Sequence, residues 1–292
     1  MADIREIELA GPGAGPYGIT TGPDGALWVT LAGGGGTARV WPDGTARHHR
    51  DDPPDSRPLI ITTGPDGALW YTRSGDDRLG RVTTGGVTSS VPLPAGSGPC
   101  GLAAGPDGAL WYAAMNRDTI GRVTPDGRVT EFPLPVTGAF ASMLAVGPDE
   151  ALWCTLNQAN AIARIGLDGR VRLHPVPTAA SGPVGITLGA DGALWFVEIA
   201  AGQLGRLTVD GTITEFPLPD RAARPHAVVA DPAGGCWFTE WGANRVGHLD
   251  PAGRIEEYDL PTPNSEPHGL TLAPDHTLWI ALEQGPLAHL TP

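Results

Sequence analysis

Seven tryptophans divide this chain into nearly equal parts. Trp28, Trp70, Trp111, Trp153, Trp195, Trp237 and Trp279 stand 42, 41, 42, 42, 42 and 42 residues apart, each in a variant of the phrase GPDGALW. So regular a period means that the chain is built from copies of one supersecondary unit. Each copy reads as four short strands. In the fifth they are GITLG, ALWFVE, GRLTV and ITEFPLP, with ADGA and VDGT at two of the turns. Asp-Gly is a strong hairpin signal. Four strands per unit and seven units predict an all-β fold, a seven-bladed β-propeller. Both faces of a blade pack on neighbours, so the second strand of each should be apolar throughout, as ALWFV is.

The two ends of the chain predict how the ring closes. The last copy stops after LAHLTP, without a fourth strand, while DIREIELAGPG precedes the first copy and matches RVTEFPLP in type and position. The amino-terminal strand is therefore expected to complete the last blade. Residues 1–292 are expected to form one domain, because no blade can bury its faces alone. The abundance of Gly (42) and Pro (30) fits many turns, not disorder, since nine tryptophans supply large apolar anchors.

Charge and cysteine usage narrow the partners. With 19 basic and 32 acidic side chains the net charge is −13, which disfavours nucleic acid and anionic membrane surfaces. Cys100, Cys154 and Cys236 are far apart and odd in number, so neither a disulfide framework nor a CxxC metal site is expected. The start, MADIREIELAGPG, has no apolar leader core, and nowhere do 18 apolar residues run together. The expected setting is the reducing cytoplasm, and the expected state a monomer.

Aligning the copies on their tryptophans shows where a site belongs. Eleven residues before each tryptophan stand Tyr17, Leu59, Cys100, Ser142, Val184, His226 and His268. Four residues after stand Ala32, Ser74, Met115, Asn157, Ile199, Trp241 and Glu283. The first position opens the innermost strand and the second ends the next, so in an up-and-down sheet both lie at one mouth of the central channel. Scaffold positions repeat in every blade. These vary, as a binding face on a rigid ring would. A third position, thirteen residues before the tryptophan, holds Glu266 in the last copy and no acid elsewhere. Blade seven alone thus offers Glu266, His268 and Glu283 at one edge, with His226 next door.

Carboxylate oxygens suit a hard cation such as Mg²⁺, and an imidazole suits general-base work at neutral pH. A solvated His-Pro loop is the bland alternative, and the period alignment weighs against it by making these residues neighbours. Glu198 and Glu240 stand three residues after their tryptophans, so the pleat aims them differently from Glu283. Cys236 and Cys154 fill apolar repeat positions and are expected in the core. Cys100 lies at the mouth without a local histidine. His48, His49, His174, His248, His276 and His289 fall on outer strands or turns, where a structural or solvated role is expected. Trp241, off the repeat register, is a candidate stacking platform.

Seven GPDGALWFTE-type repeats, with RPHA in blade six and EPHG plus WIALE in blade seven, resemble the virginiamycin B (streptogramin B) lyase family over essentially the whole chain. The blade-six and blade-seven motifs carry most of that resemblance, since many propellers share such a repeat. It implies a carbon–oxygen lyase that inactivates streptogramin B antibiotics. These are small cyclic depsipeptides closed by an ester through a threonine side chain, and the family linearises them by Mg²⁺-dependent elimination. Carried over by motif, His268 would accept the proton, Glu266 and Glu283 would hold or orient Mg²⁺, and His226 and Tyr17 would contact substrate. Two rival readings share the same mouth: a metal-dependent lactone hydrolase, and a non-catalytic propeller that binds a peptide.

Overall fold

The computed structural model describes residues 4–9, 11, 13–41 and 43–291. Its 28 strands pair into seven four-stranded antiparallel sheets, six of them made of four consecutive strands. The seventh takes its outer strand from the other end of the chain. Ile4–Glu8 pairs with Pro286–Leu290, with Ile4 opposite Leu290 and Glu8 opposite Pro286. The predicted propeller and its closure are thus observed. Asp3, Ala10 and Pro12 of the amino-terminal stretch lie outside the described residues.

The repeat phrase encodes the turn between the first two strands of a blade. In blade one, Asp24 Oδ1 accepts from the backbone N–H of Ala26 and from the Trp28 indole N–H, both at 3.2 Å. Its other oxygen pairs with Arg39 on the third strand at 2.7 Å. The same aspartate–tryptophan bond recurs at Asp66, Asp107, Asp149 and Asp191. The preceding glycine gives the indole room, since a Cβ on Gly22 would stand 2.5 Å from Trp28 Cδ1. The second strand is buried at all five positions in every blade.

Four of the histidines expected to be structural cover tryptophans: His49 stacks on Trp28, His174 packs on Trp153, and His248 and His289 stack on Trp237 and Trp279. Cys154 and Cys236 are fully buried, as core positions should be.

The innermost strands meet around the channel, with Pro267–Leu272 of blade seven against Pro16–Thr21 of blade one. Each carries an irregularity that the sequence pattern did not predict. Between Pro267 and Leu270 the register against the next strand slips by one residue, and the same slip occurs in the other six blades. Such a bulge re-aims side chains and is common beside active sites. The bulged residues are the ones that face the mouth. A threonine two residues after the tryptophan fastens several of them from the neighbouring blade: Thr239 Oγ1 donates to the His268 carbonyl at 2.9 Å, and Thr30 to that of Leu59 at 2.5 Å.

Candidate active site

Three rings from three blades converge at the mouth. Tyr17 stacks on His268 with centroids 4.2 Å apart, and His226 stands edge-on to His268 at 4.7 Å and to Tyr17 at 5.9 Å. The Tyr17 hydroxyl lies 3.4 Å from His226 Nε2. Close approach of the backbones makes this possible: a Cβ on Gly269 would meet the Tyr17 carbonyl at 2.6 Å.

His268 is buried, and its Nε2 lies 2.6 Å from Glu283 Oε2. A contact that short needs one proton between the two groups. The hydrogen bond from His268 holds the Glu283 carboxyl below its usual range. Nδ1 of His268 is buried in the channel wall without a hydrogen-bond partner, as is Nδ1 of His226. Desolvation pushes the Tyr17 phenol up, so it stays protonated at neutral pH. Arg57 acts on both neighbours, favouring the ionised forms of Tyr17 and Glu283.

Glu266 is the neighbour of Glu283 through the backbone, since the Glu283 N–H donates to the Glu266 carbonyl at 3.1 Å. Its carboxylate accepts from Gln284 Nε2 at 3.2 Å. Glu266 has φ +55°, in the left-handed region, and so do the residues at the same position in all seven blades. Glycine holds it in blades one, three and five, while Arg57, Phe140, Arg224 and Glu266 occupy it at a conformational cost. Sequence reasoning found the acid and missed the strain, although the recurrent glycine was the signal for it. It also passed over Arg57, although Arg57 stands at the same repeat position as Glu266, and missed Gln284, for which no pattern pointed to the site.

Five of the five candidate residues therefore sit at one mouth: Tyr17, His226, Glu266, His268 and Glu283. Glu198 and Glu240 do not join them. Both are fully buried inside their blades, Glu198 accepting from Gln203 at 2.9 Å and Glu240 lying 3.5 Å from Arg245. Burial pushes their carboxyls up to about 7 and about 8, the latter helped by Glu257. Among the described residues, no three His, Cys, Asp or Glu side chains converge as a ready-made metal cage.

Comparison with known proteins gives this constellation a context. The Virginiamycin B lyase family profile matches residues 2–290. The chain belongs to the virginiamycin B lyase family. A crystal structure of virginiamycin B lyase from Staphylococcus aureus is 40% identical, superposes with a TM-score of 0.97 and is covered over 100% of both chains. A catalytically inactive histidine-to-alanine variant of the same lyase, solved with quinupristin, is 39% identical with a TM-score of 0.97 over 100% of both chains. Virginiamycin B lyase of Saccharopolyspora erythraea is 60% identical over 91 residues, a stretch spanning 31% of this chain and 30% of that protein.

In this member of the virginiamycin B lyase family, His226 carries a signature that can be measured. Burial, with His268 beside it, pushes its imidazole from 6.5 down to about 3. The folded state holds the ring neutral where the unfolded chain binds a proton. His226 therefore contributes stability that is present above the unfolded value and is lost as pH falls from about 6.5 toward about 3. Thermal melts at about pH 7 and about pH 4.5 should show a smaller acid-induced drop in Tm for His226→Gln than for the parent. Equal drops would mean that the ring is not held neutral.

Proposed function

We propose that this protein opens streptogramin B antibiotics by elimination at the threonyl ester. The carrying observation is the short His268–Glu283 contact at a channel mouth walled by Tyr17 and His226. The reaction removes the proton from the threonine Cα, forms a Cα–Cβ double bond and breaks the Cβ–O bond, so that the ester carboxylate departs. Atoms balance without water, and the linear product has the mass of the cyclic substrate.

His268 takes the proton at Nε2, the nitrogen that faces the mouth, after the proton of its resting contact with Glu283 has left to solvent and Glu283 has turned from it, the ring's remaining proton being on Nδ1. The carboxylate beside it stabilises the imidazolium that results. Tyr17 holds the ring plane by stacking, and neutral His226 offers a contact that adds no competing charge. An acyl-enzyme route has no support at the mouth: Cys100 is buried, and its thiol is pushed up to about 12. That an inactive relative differs by one histidine supports a histidine as the indispensable group.

Glu266 and Glu283 are the residues that would hold Mg²⁺. The donor set fits, because Mg²⁺ is commonly bound by one or two carboxylates and completes its shell with water and substrate oxygens. When bound, the ion would supply charge stabilisation to a substrate oxygen. Glu266→Gln and Glu283→Gln should each shift the Mg²⁺ titration of activity to higher concentration while sparing Tm, and EDTA should abolish turnover until Mg²⁺ is returned. Parental rates and titrations in both variants would remove the metal assignment.

Mass spectrometry of quinupristin incubated with protein and Mg²⁺ tests the whole reading. A product of unchanged mass carrying dehydrobutyrine supports elimination. One heavier by a water establishes the rival lactone hydrolase, and no conversion favours a binding propeller.

A further inference from the structure

Blade six carries a second constellation at the same mouth, one that the chemistry above leaves unused. The Trp241 N–H donates to the Arg224 carbonyl at 3.2 Å, just as Glu283 bonds Glu266 in blade seven. Trp241 and Arg224 therefore occupy the rim positions that blade seven gives to its two acids. The Arg224 guanidinium lies 5.6 Å from the Trp241 ring centroid. Gly242 leaves the space for this, since a Cβ there would stand 3.1 Å from Arg224 Cβ and Cγ. Arg224 takes φ +51°, a conformation that glycine adopts in three other blades. It is exposed, and no carboxylate pairs with it among the described residues.

These two side chains line a cavity of about 510 Å³ together with Ile199, Ala200, Arg221 and Ala222. That volume lies in the usual range for small-molecule sites, which are apolar walls with a few aimed polar groups. Every polar side chain here is a donor. Arg221 is braced by Gln203 Oε1 at 2.7 Å, and the Trp241 indole N–H is buried without an acceptor. An unmet buried donor is costly, so it marks a place where a ligand oxygen is wanted.

We propose that this cavity is a specificity subsite for the part of the cyclic depsipeptide remote from the scissile ester. An aromatic side chain of the ring would lie against the Trp241 face in place of the Arg224 guanidinium. A neighbouring carbonyl oxygen would accept from the Trp241 indole N–H and from the displaced Arg224. A depsipeptide ring is rich in carbonyl acceptors and poor in charge, which matches a pocket of donors between apolar walls. The position of blade six beside blade seven lets one ring-shaped ligand reach both. This inference rests on the proposed function for the identity of the ligand.

The test is the kinetics of Trp241→Ala, Trp241→Phe and Arg224→Ala with quinupristin, each variant checked for an unchanged Tm. Loss of a stacking face is expected to raise KM for Trp241→Ala by roughly tenfold or more while kcat moves less than about threefold. Trp241→Phe keeps a face and loses the N–H, so it should recover most of that loss. Arg224→Ala should raise KM by a few-fold. Parental KM in Trp241→Ala, or a fall in kcat at constant KM, would overturn the subsite. If the parent leaves quinupristin intact, the proposed reaction fails on its own. Calorimetric binding of quinupristin then decides the subsite: weaker binding by Trp241→Ala supports it, and equal binding by parent and variant, or none by either, overturns it.

Discussion

Replacing His268 with alanine is expected to lower kcat by about 10²- to 10⁴-fold, the usual contribution of a positioned general base. The fold should survive. The backbone around His268 is held by the carbonyl bond from Thr239 and by the bulge shared with every blade, neither of which uses the imidazole. The variant frees Glu283 from its 2.6 Å contact, so its carboxyl should titrate closer to the ordinary range. Stopped product analysis checks the first part and carboxyl-edited NMR titration the second. A rate within tenfold of the parent, with Tm unchanged, would remove His268 as proton acceptor. Retention of Glu283's depressed value would show that Arg57, and not the histidine, controls the acid.

Deleting residues 1–10 is expected to abolish a cooperative melt or to produce aggregation. The strand Ile4–Glu8 supplies five residue pairs to blade seven. Side chains of the deleted segment also reach both neighbouring blades. Ile7 and Leu9 pack with the core between blades seven and one, and Ile4 with the core between blades six and seven. The Glu6 carboxylate accepts from Thr262 N and Oγ1, pinning the connection into blade seven. Fully burying one such aliphatic side chain is worth roughly 1.5–3 kcal/mol. The apolar loss alone is thus on the order of 5 kcal/mol, comparable with the ~5–15 kcal/mol net stability of a typical domain. The deletion also leaves Pro286–Leu290 as an unpaired edge open to intermolecular pairing. Calorimetry and light scattering measure both effects. An unchanged melting curve would contradict closure by the amino-terminal strand.

The tryptophan period, with the unmatched strands at the two chain ends, was enough to predict the blade count, the strand order, the closing strand and the mouth on which Tyr17, His226, Glu266, His268 and Glu283 lie. These are consequences of short-range rules. The Asp–Trp–Arg set at the hairpins of blades one to five, the alternation of strand and turn, and the burial of both blade faces repeat locally, so one copy explains most of the others. The partnerships within the mouth are of a different kind. Tyr17 and His226 are 209 residues apart, and they meet because blade one follows blade seven around the ring at a backbone distance that Gly269 permits. Two acids that the repeat places at one rim have different fates: Glu283 reaches His268, whereas Glu266, in its left-handed position, turns to Gln284. Glu198 and Glu240, one residue short of the rim, are buried by the pleat. Sequence alone determined which residues share the rim, because periodicity sets register. Only the closed ring decided which of them touch, because side-chain direction at a bulge and contacts across blades depend on atoms that the repeat does not vary in step.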